Sequence, residues 1–233
     1  WVQGKDGAEE WKGVPNGLPV TELSLPEYDN NHNSCIWGYM WGYDWNSAEK
    51  GDNISKPKTD ADFTPLGLMN YSEVCFLKAE AALRGWQGAG DAKTNYENGI
   101  RASFEEMRAN APKDSYSKSN DDKYISEGNV AWNNADSFEA KLEKIITQKW
   151  IGIYPNSEEA WAEFRRTGYP KLNPVKQSLE PTINPKNGEF IKKLRYVDNE
   201  LSNNKEYATD PTLNGGQGDG LSVRVWWDTA RYK

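Results

Sequence analysis

The sequence predicts a mainly α-helical protein in which helix pairs are combined with long irregular, aromatic-rich loops and a few short strands. Residues 71–167 carry apolar side chains at intervals of three and four positions, which is the period of an amphipathic helix. Residues 1–70 and 169–233 are rich in Gly, Pro, Asn and Asp, which favour turns and loops. Strand-like patterns are confined to three short runs, at residues 36–45, 190–197 and 221–227.

These patterns divide the 233-residue chain into three parts of one domain. Residues 1–70 form an irregular, aromatic-rich segment that we expect to face a ligand. Residues 71–168 form a helical scaffold, and residues 169–233 form an irregular arm that packs on it. The many aromatic side chains of the first segment argue against disorder, because disordered segments are poor in such residues.

Capping signals and apolar stripes define a first pair of helices. Asn70, followed three positions later by Glu73, is suited to begin one helix, and Gly85 is suited to end it. Asp91 is suited to cap the next helix. The apolar face of that second helix consists of Tyr96, Ile100, Phe104 and Met107. Only a short Gly-rich turn separates the two helices, so we expect them to be antiparallel neighbours.

A second pair of helices follows a polar stretch at residues 110–134. Asp136 with Glu139 is suited to begin the third helix, and Asn156 with Glu159 the fourth. The apolar stripe of the third helix consists of Phe138, Leu142, Ile145, Ile146 and Trp150. Two helix pairs of this kind resemble tetratricopeptide units, although the repeat period is not kept.

Residues 37–45 place an aromatic side chain at every second position. In an extended strand, side chains two positions apart point to the same face, so five rings would form one row. Such a row either packs into a core or forms a platform on which a sugar ring or a base stacks. The five candidate ligand-binding residues of this row are Trp37, Tyr39, Trp41, Tyr43 and Trp45. Trp86 and Trp132 lie in predicted loops and raise the same two alternatives; we add Trp86 to the candidate binding residues.

The charge distribution favours a neutral ligand. The chain has a net charge of -7 at pH 7, and Lys50 is the only basic residue between Trp37 and Asp52. A nucleic-acid platform would need a positive field along the aromatic row, so nucleic acid is disfavoured as a partner. No apolar run approaches the length of a transmembrane helix. The chain does not begin with Met, and we expect it to be a processed form or a fragment.

Few residues offer catalytic or metal-binding chemistry. His32 is the only histidine, which excludes His-rich zinc sites and leaves no second histidine for catalysis. The Gly-rich residues 215–220 lack the spacing of a nucleotide-binding loop, and the acidic residues within 44–62 lack that of a calcium loop. We therefore expect no metal and no cofactor. Glu73 and Glu80 share a helix face, but such coincidences are common among 35 acidic residues.

Six local strings, taken in their order and spacing, resemble one protein family. They are YSEVCFLKAEAALRG at 71–85, YENGIRAS at 96–103, ITQKW at 146–150, EAWAEFRRTGYP at 159–170, LRYVDNE at 194–200 and VWWD at 225–228. Together they resemble the C-terminal half of the SusD/RagB-like outer-membrane nutrient-binding lipoproteins. Examined physically, the strings are structural; Arg165 and Arg166, for example, lie at a helix C-terminus, where cations are favoured.

The resemblance implies a fold of tetratricopeptide-like helix pairs with a loop-rich face that carries the ligand site. It implies a non-catalytic lipoprotein at the cell surface that captures an oligosaccharide and acts as a lid on a TonB-dependent outer-membrane transporter. The resemblance covers only the C-terminal half of the family pattern, and we expect the N-terminal half, with the signal peptide and the lipid-bearing cysteine, to be missing from this sequence. Membrane attachment would therefore come only through a lipid anchor on that missing part.

Three hypotheses about function follow. The leading hypothesis is a glycan-binding protein that stacks sugar rings on its aromatic side chains. The second is a helical interaction protein that holds a protein partner, with any sugar contact incidental. The third is a glycoside hydrolase, which requires two carboxylates held at a fixed separation across a cleft.

Overall fold

The computed structural model of the chain describes residues 2–3, 11–12, 67–110, 118–175 and 178–228. These residues belong to two compact units. The described residues between 67 and 171 form the helical unit. The remaining described residues, at 2–3, 11–12 and from 172 onward, form what we call the C-terminal unit. The aromatic row at 37–45 lies outside the described residues.

The helical unit begins with the predicted antiparallel pair. Helix α1 spans Tyr71–Leu83 and helix α2 spans Ala92–Asn110. Asp91 caps α2 as expected, because its Oδ1 accepts a hydrogen bond from the backbone N–H of Thr94 at 2.8 Å. Asn70 occupies the N-cap position of α1, but its side chain makes no capping hydrogen bond. The amide of Asn70 instead hydrogen-bonds to Glu106 on α2, so this part of the capping prediction is wrong.

The second half of the helical unit contains one helix that was not predicted. A 3₁₀ turn at Lys118–Asn120 leads into α3, which spans Asp121–Ser126, within the stretch predicted as a polar loop. Helices α4 (Phe138–Gly152) and α5 (Ser157–Thr167) follow, as predicted. Ser137 caps α4 through its Oγ, which accepts from Ala140 N–H, so the assignment of Asp136 to this role is wrong.

The core of the helical unit lies between α1, α2 and α4. Its fully buried side chains include Phe76, Tyr96, Ile100, Leu142, Ile145 and Ile146. The Phe76 and Tyr96 rings pack edge to face with their centroids 6.3 Å apart. Gly99 allows the Phe76 ring of α1 to lie close to the backbone of α2, because a Cβ at position 99 would lie 2.7 Å from that ring. Glycine is otherwise unfavourable in a helix interior, and its place in α2 is therefore explained by helix packing.

The C-terminal unit is built mostly of turns and very short helices. The short helices are α6 (Asp198–Asn203), α7 (Lys205–Ala208) and α8 (Leu213–Gly216), the last being a tight turn with left-handed Asn214 and Gly215. Two two-residue strands, β1 (Val2–Gln3) and β2 (Trp11–Lys12), pair antiparallel.

The strands predicted at 190–197 and 221–227 are not present. Those residues are irregular and meet mainly through the N–H of Lys192, which donates to the carbonyl of Leu221 at 2.7 Å. Among the described helices, none has the length and apolar character needed to cross a membrane.

Candidate functional site

The structure describes one of the six candidate binding residues. Trp86 lies in the loop between α1 and α2, and 68% of its surface is exposed. The other five, Trp37, Tyr39, Trp41, Tyr43 and Trp45, lie outside the described residues. An exposed tryptophan is unusual, because the large indole is highly buried on average in folded proteins. The exposed Trp86 indole is therefore available for contact with a ligand.

The backbone of the α1–α2 loop holds Trp86 in its exposed position. The Trp86 N–H donates to the carbonyl of Ala81 at 3.0 Å, which ties the residue to the end of α1. At the other end of the loop, the Asn95 side-chain amide donates to the carbonyl of Ala89 at 2.7 Å. Gly85, at φ +77°, adopts the left-handed conformation that lets the chain leave the helix here. The indole thus projects from a loop whose backbone is anchored at both ends.

An ion-pair network fixes the helix end from which this loop departs. The Glu80 carboxylate accepts hydrogen bonds from Arg84 Nε at 2.9 Å and from both terminal nitrogens of Arg166, at 2.8 and 2.7 Å. Arg166 also donates to Glu163 on its own helix. Burial alone would raise the pKa of Glu80, but the hydrogen bonds and charges of Arg166 and Arg84 outweigh it and hold the pKa below its usual value. The network is a structural clamp between α1 and α5.

A second cluster of charges surrounds Lys149. This side chain is only 1% exposed, and its Nζ lies 2.7 Å from Glu159, 3.5 Å from Glu73 and 3.7 Å from Glu163. Sequence analysis did not single out Lys149, although a signal was present. Lys149 follows Ile145 by four positions and Ile146 by three, so it falls on the apolar stripe of α4 and must be buried there.

These contacts decide how Glu73, Glu80 and the two arginines are interpreted. Glu73 faces Lys149 and Glu80 faces arginines, so each carboxylate is held in an ion pair. Arg165 stacks over the Trp161 ring, with its guanidinium carbon 3.6 Å from the ring centroid. Arg166 therefore has the ion-pair role that the sequence predicts, whereas Arg165 stacks on an aromatic ring, a contact that was not predicted.

The helical unit also carries a shallow cavity of about 350 Å³, which sequence analysis did not predict. It lies where α2 and α3 meet residues 131–132, and Trp132 is part of its wall. Trp132 is half-buried and packs against Tyr96, with ring centroids 5.3 Å apart. Of the two alternatives raised for this loop tryptophan, packing onto the core is confirmed, but one part of the ring still borders the cavity.

Metal-binding groups do not converge in the described part of the chain. Among those residues, no three His, Cys, Asp or Glu side chains are grouped so that they could hold a metal ion.

The helix pairs of the described residues define a class of mainly α scaffold proteins with tetratricopeptide-like helices. A sequence model of the SusD and RagB outer-membrane lipoproteins matches residues 24–228. The chain therefore belongs to the SusD-like family. The resemblance, the mainly α fold and the outer-membrane lipoprotein class expected from the sequence are confirmed. No curated protein matches the chain.

Solved structures of SusD-like proteins are also similar to this chain. A SusD-like protein from Bacteroides thetaiotaomicron is 32% identical with a TM-score of 0.57, over 75% of this chain and 38% of that one. A chitin-binding SusD homologue from Flavobacterium johnsoniae is 37% identical with a TM-score of 0.53, over 70% of this chain and 36% of that one. A SusD homologue from Bacteroides uniformis is 30% identical with a TM-score of 0.57, over 78% of this chain and 41% of that one. The alignments thus cover less than half the length of these proteins.

Proposed function

We propose that this chain binds an oligosaccharide or polysaccharide without cleaving it, at the bacterial cell surface, and delivers it to a TonB-dependent outer-membrane transporter. The observation that carries the proposal is the family match over residues 24–228. The similarity to a chitin-binding homologue, at 37% identity, supports a glycan as the ligand class. The transporter as partner follows from the family resemblance.

Trp86 is the described residue that we assign to glycan contact. A pyranose ring has an apolar face of C–H groups, which suits stacking on an indole, and the indole N–H adds a polar contact at its edge. The loop is held, before any ligand arrives, by the Trp86 N–H bond to Ala81 and by the Asn95 side-chain bond to the Ala89 carbonyl. Little conformational entropy would be lost on binding, because the aromatic side chain is presented by an ordered loop.

We also keep the aromatic row at Trp37–Trp45 in the proposed site. Its two-residue period would place five rings on one face of an extended segment that carries no positive charge. The contribution of this row is tested by Trp41→Ala, which removes the central ring. We expect this substitution to weaken glycan binding; unchanged affinity would remove the row from the site.

The ion pairs of Glu73 and Glu80 argue against a hydrolytic role for these two carboxylates. A glycoside hydrolase needs one carboxylic acid and one carboxylate free to act on either side of the scissile bond. The helix-face pair identified in the sequence, Glu73 and Glu80, is instead engaged by Lys149, Arg84 and Arg166. We therefore propose that the chain is not an enzyme, which an assay for reducing-sugar release on the bound polysaccharide tests directly.

Affinity electrophoresis tests the assignment of Trp86. The chain is run through native gels that contain chitin oligomers, starch, xylan or mannan, and the retardation by each polysaccharide is measured. We expect retardation by one class, and we expect Trp86→Ala to weaken it about tenfold, which corresponds to the loss of one stacking contact. Trp226→Ala is the matched control, because it removes an indole that is 92% exposed in the C-terminal unit. Equal retardation of both variants and the wild type would contradict the role of Trp86.

A protein partner is the second candidate function. It is favoured by a patch of exposed apolar side chains at the end of α4, formed by Trp150, Ile151 and Tyr154. Co-purification with the transporter in the absence of any glycan, together with failure to bind every polysaccharide above, would favour this alternative. Loss of co-purification in Ile151→Asp would assign the contact to the patch.

A further inference from the structure

We propose that the cavity beside Trp132 is a second saccharide site, which accepts a single uncharged sugar residue. The choice of ligand class rests on the proposed function, but the site is separate in sequence from Trp86 and from the aromatic row. Its volume of about 350 Å³ lies at the lower end of the range for small-molecule pockets. Its lining residues come from α2, α3 and the segment that follows α3: Lys93, Glu97, Arg101, Asp122, Ile125, Ser126, Ala131 and Trp132.

Three charged residues of α2 line the cavity: Lys93, Glu97 and Arg101. Because they are four positions apart, they are neighbours along one side of the helix. Arg101 lies 3.6 Å from Glu97 and 3.1 Å from Asp122 on α3, so it bridges the two helices across the cavity. Lys93 lies 3.8 Å from Glu97.

The lining charges sum to zero, because two cations face two carboxylates. A ligand with a net charge would therefore gain no net electrostatic attraction from this lining. A sugar hydroxyl, in contrast, both donates and accepts, so it can donate to a carboxylate while it accepts from the neighbouring guanidinium. Arg101 and Asp122 are solvent-exposed and Glu97 is half-buried, so each ion pair is individually weak. Their rearrangement around a neutral polyhydroxy ligand therefore costs little.

Trp132 and Ile125 supply the apolar part of the cavity lining. The Trp132 indole donates to Asn134 Oδ1 at 3.0 Å and packs on the Tyr96 ring. Tyr96 is in turn held by its hydroxyl, which donates to the carbonyl of Val130 at 2.8 Å. Ile125, which is buried, adds aliphatic surface to the cavity. The apolar wall formed by Trp132 and Ile125 can contact the C–H groups of a pyranose ring, and the neighbouring donors and acceptors can contact its hydroxyl groups.

Protein NMR on the full chain tests this site. The indole N–H signal of Trp132 is assigned by its loss in Trp132→Phe, and that of Trp86 by its loss in Trp86→Phe. Methyl glucoside and the methyl glycoside of N-acetylglucosamine are then titrated separately, and both signals are followed. We expect a saturable shift of the Trp132 signal with a dissociation constant in the millimolar range, as is usual for a ligand of so few atoms.

Two substitutions on α3 distinguish a loss of sugar binding in the cavity from a general effect on folding. Ser126→Leu places a larger side chain in the cavity and should weaken the monosaccharide titration at least tenfold. Lys123→Leu is the matched control, because Lys123 is exposed on the same helix but does not line the cavity. It should leave the titration unchanged, and both variants should keep the wild-type melting temperature within a few degrees.

The outcomes distinguish this proposal from the proposed function. A saturable Trp132 shift that Ser126→Leu abolishes supports the cavity site, whether or not Trp86 responds to longer oligosaccharides. Absence of a Trp132 shift overturns the cavity site, and the proposed function still stands if oligosaccharides shift Trp86. A Trp132 shift that persists in Ser126→Leu also overturns it, because the sugar would then be bound elsewhere.

Discussion

Arg166 and Glu80, which are 86 residues apart in the sequence, form a two-point ion pair that joins α5 to α1. The two terminal nitrogens of the guanidinium lie 2.8 and 2.7 Å from the two carboxylate oxygens. The planar guanidinium matches the carboxylate in this arrangement, which makes it stronger and more directional than a single contact. Since Glu80 lies in the last turn of α1, the pair fixes the point at which the loop with Trp86 begins.

Removal of Arg166 should destabilise the helical unit. In Arg166→Ala the buried carboxylates of Glu80 and Glu163 lose their shared partner. We expect a loss of about 1–3 kcal/mol in the free energy of unfolding, less than for a fully buried pair because Arg166 is 39% exposed. Urea denaturation measures this loss. Lys171→Ala breaks an exposed pair with Glu143 and should cost less than about 0.5 kcal/mol. Equal stability of Arg166→Ala and wild type would contradict the clamp.

Replacement of Lys149 should have a larger effect. In Lys149→Met the carboxylate of Glu73 remains buried without its cation, and Glu163 keeps only Arg166; removal of one partner costs about 3–5 kcal/mol for a fully buried pair. Differential scanning calorimetry should show a fall in Tm of about 10 °C. Lys78→Met, on the exposed side of α1, is the control. Adding Glu73→Gln to Lys149→Met should restore part of the stability, and a further loss would contradict the electrostatic explanation.

The stability of the chain should fall in acid, in part through Glu80. The pKa of Glu80 is lower in the folded protein than its usual value of about 4.3, because the arginines outweigh burial. The folded state therefore binds fewer protons than the unfolded state at acid pH. The contribution of Glu80 to the free energy of unfolding is complete at pH values above the usual pKa of about 4.3. It is lost as the pH falls through the lower folded pKa. The free energy of unfolding from urea titrations should thus depend less on pH below about 4.3 in Glu80→Gln than in wild type. Parallel curves would contradict this contribution.

Gly99→Ala should destabilise the α1–α2 contact although alanine favours helices. The added Cβ would lie 2.7–2.9 Å from three atoms of the buried Phe76 ring, which has no room to move. Overpacking of this kind costs about 1–3 kcal/mol, more than the gain in helix propensity of up to about 1 kcal/mol. Gly152→Ala is the comparison, because its Cβ would approach neighbours only to 3.3–3.4 Å. Thermal unfolding should show the larger fall in Gly99→Ala; a more stable Gly99→Ala would contradict the packing described.

Much of the helical unit could be predicted because local signals and long-range packing agree there. The apolar stripe of α2 predicted the burial of Tyr96 and Ile100, and Asp91 and Asn156 cap the helices that they were expected to cap. Helix α3 was missed because it is only six residues long and buries a single apolar side chain, Ile125. Asp136 and Ser137 are both good cap residues, and the choice between them depends on Lys144, which pairs with Asp136 at 2.8 Å.

Long-range contacts explain what could not be predicted. The run at 190–197 is strand-like in composition, but a strand needs a neighbour with which to pair, and only isolated backbone hydrogen bonds form there. The partners of Arg166 and Lys149 lie on other helices, so their roles depend on the fold. The cavity beside Trp132 likewise arises where α2 meets the unpredicted α3. The loop position of Trp86, in contrast, could be predicted from the Gly-rich turn around it, and the structure places Trp86 in that loop with its side chain exposed.

The most direct test of the account is a tryptophan fluorescence titration of the chain with soluble chito-, malto-, xylo- and manno-oligosaccharides. We predict a saturable change in emission with one of these classes, and a smaller change with weaker affinity in Trp86→Phe. No response to any class, with the fold intact by circular dichroism, would contradict glycan binding by this chain. A response that is identical in Trp86→Phe would keep glycan binding but remove Trp86 from the site.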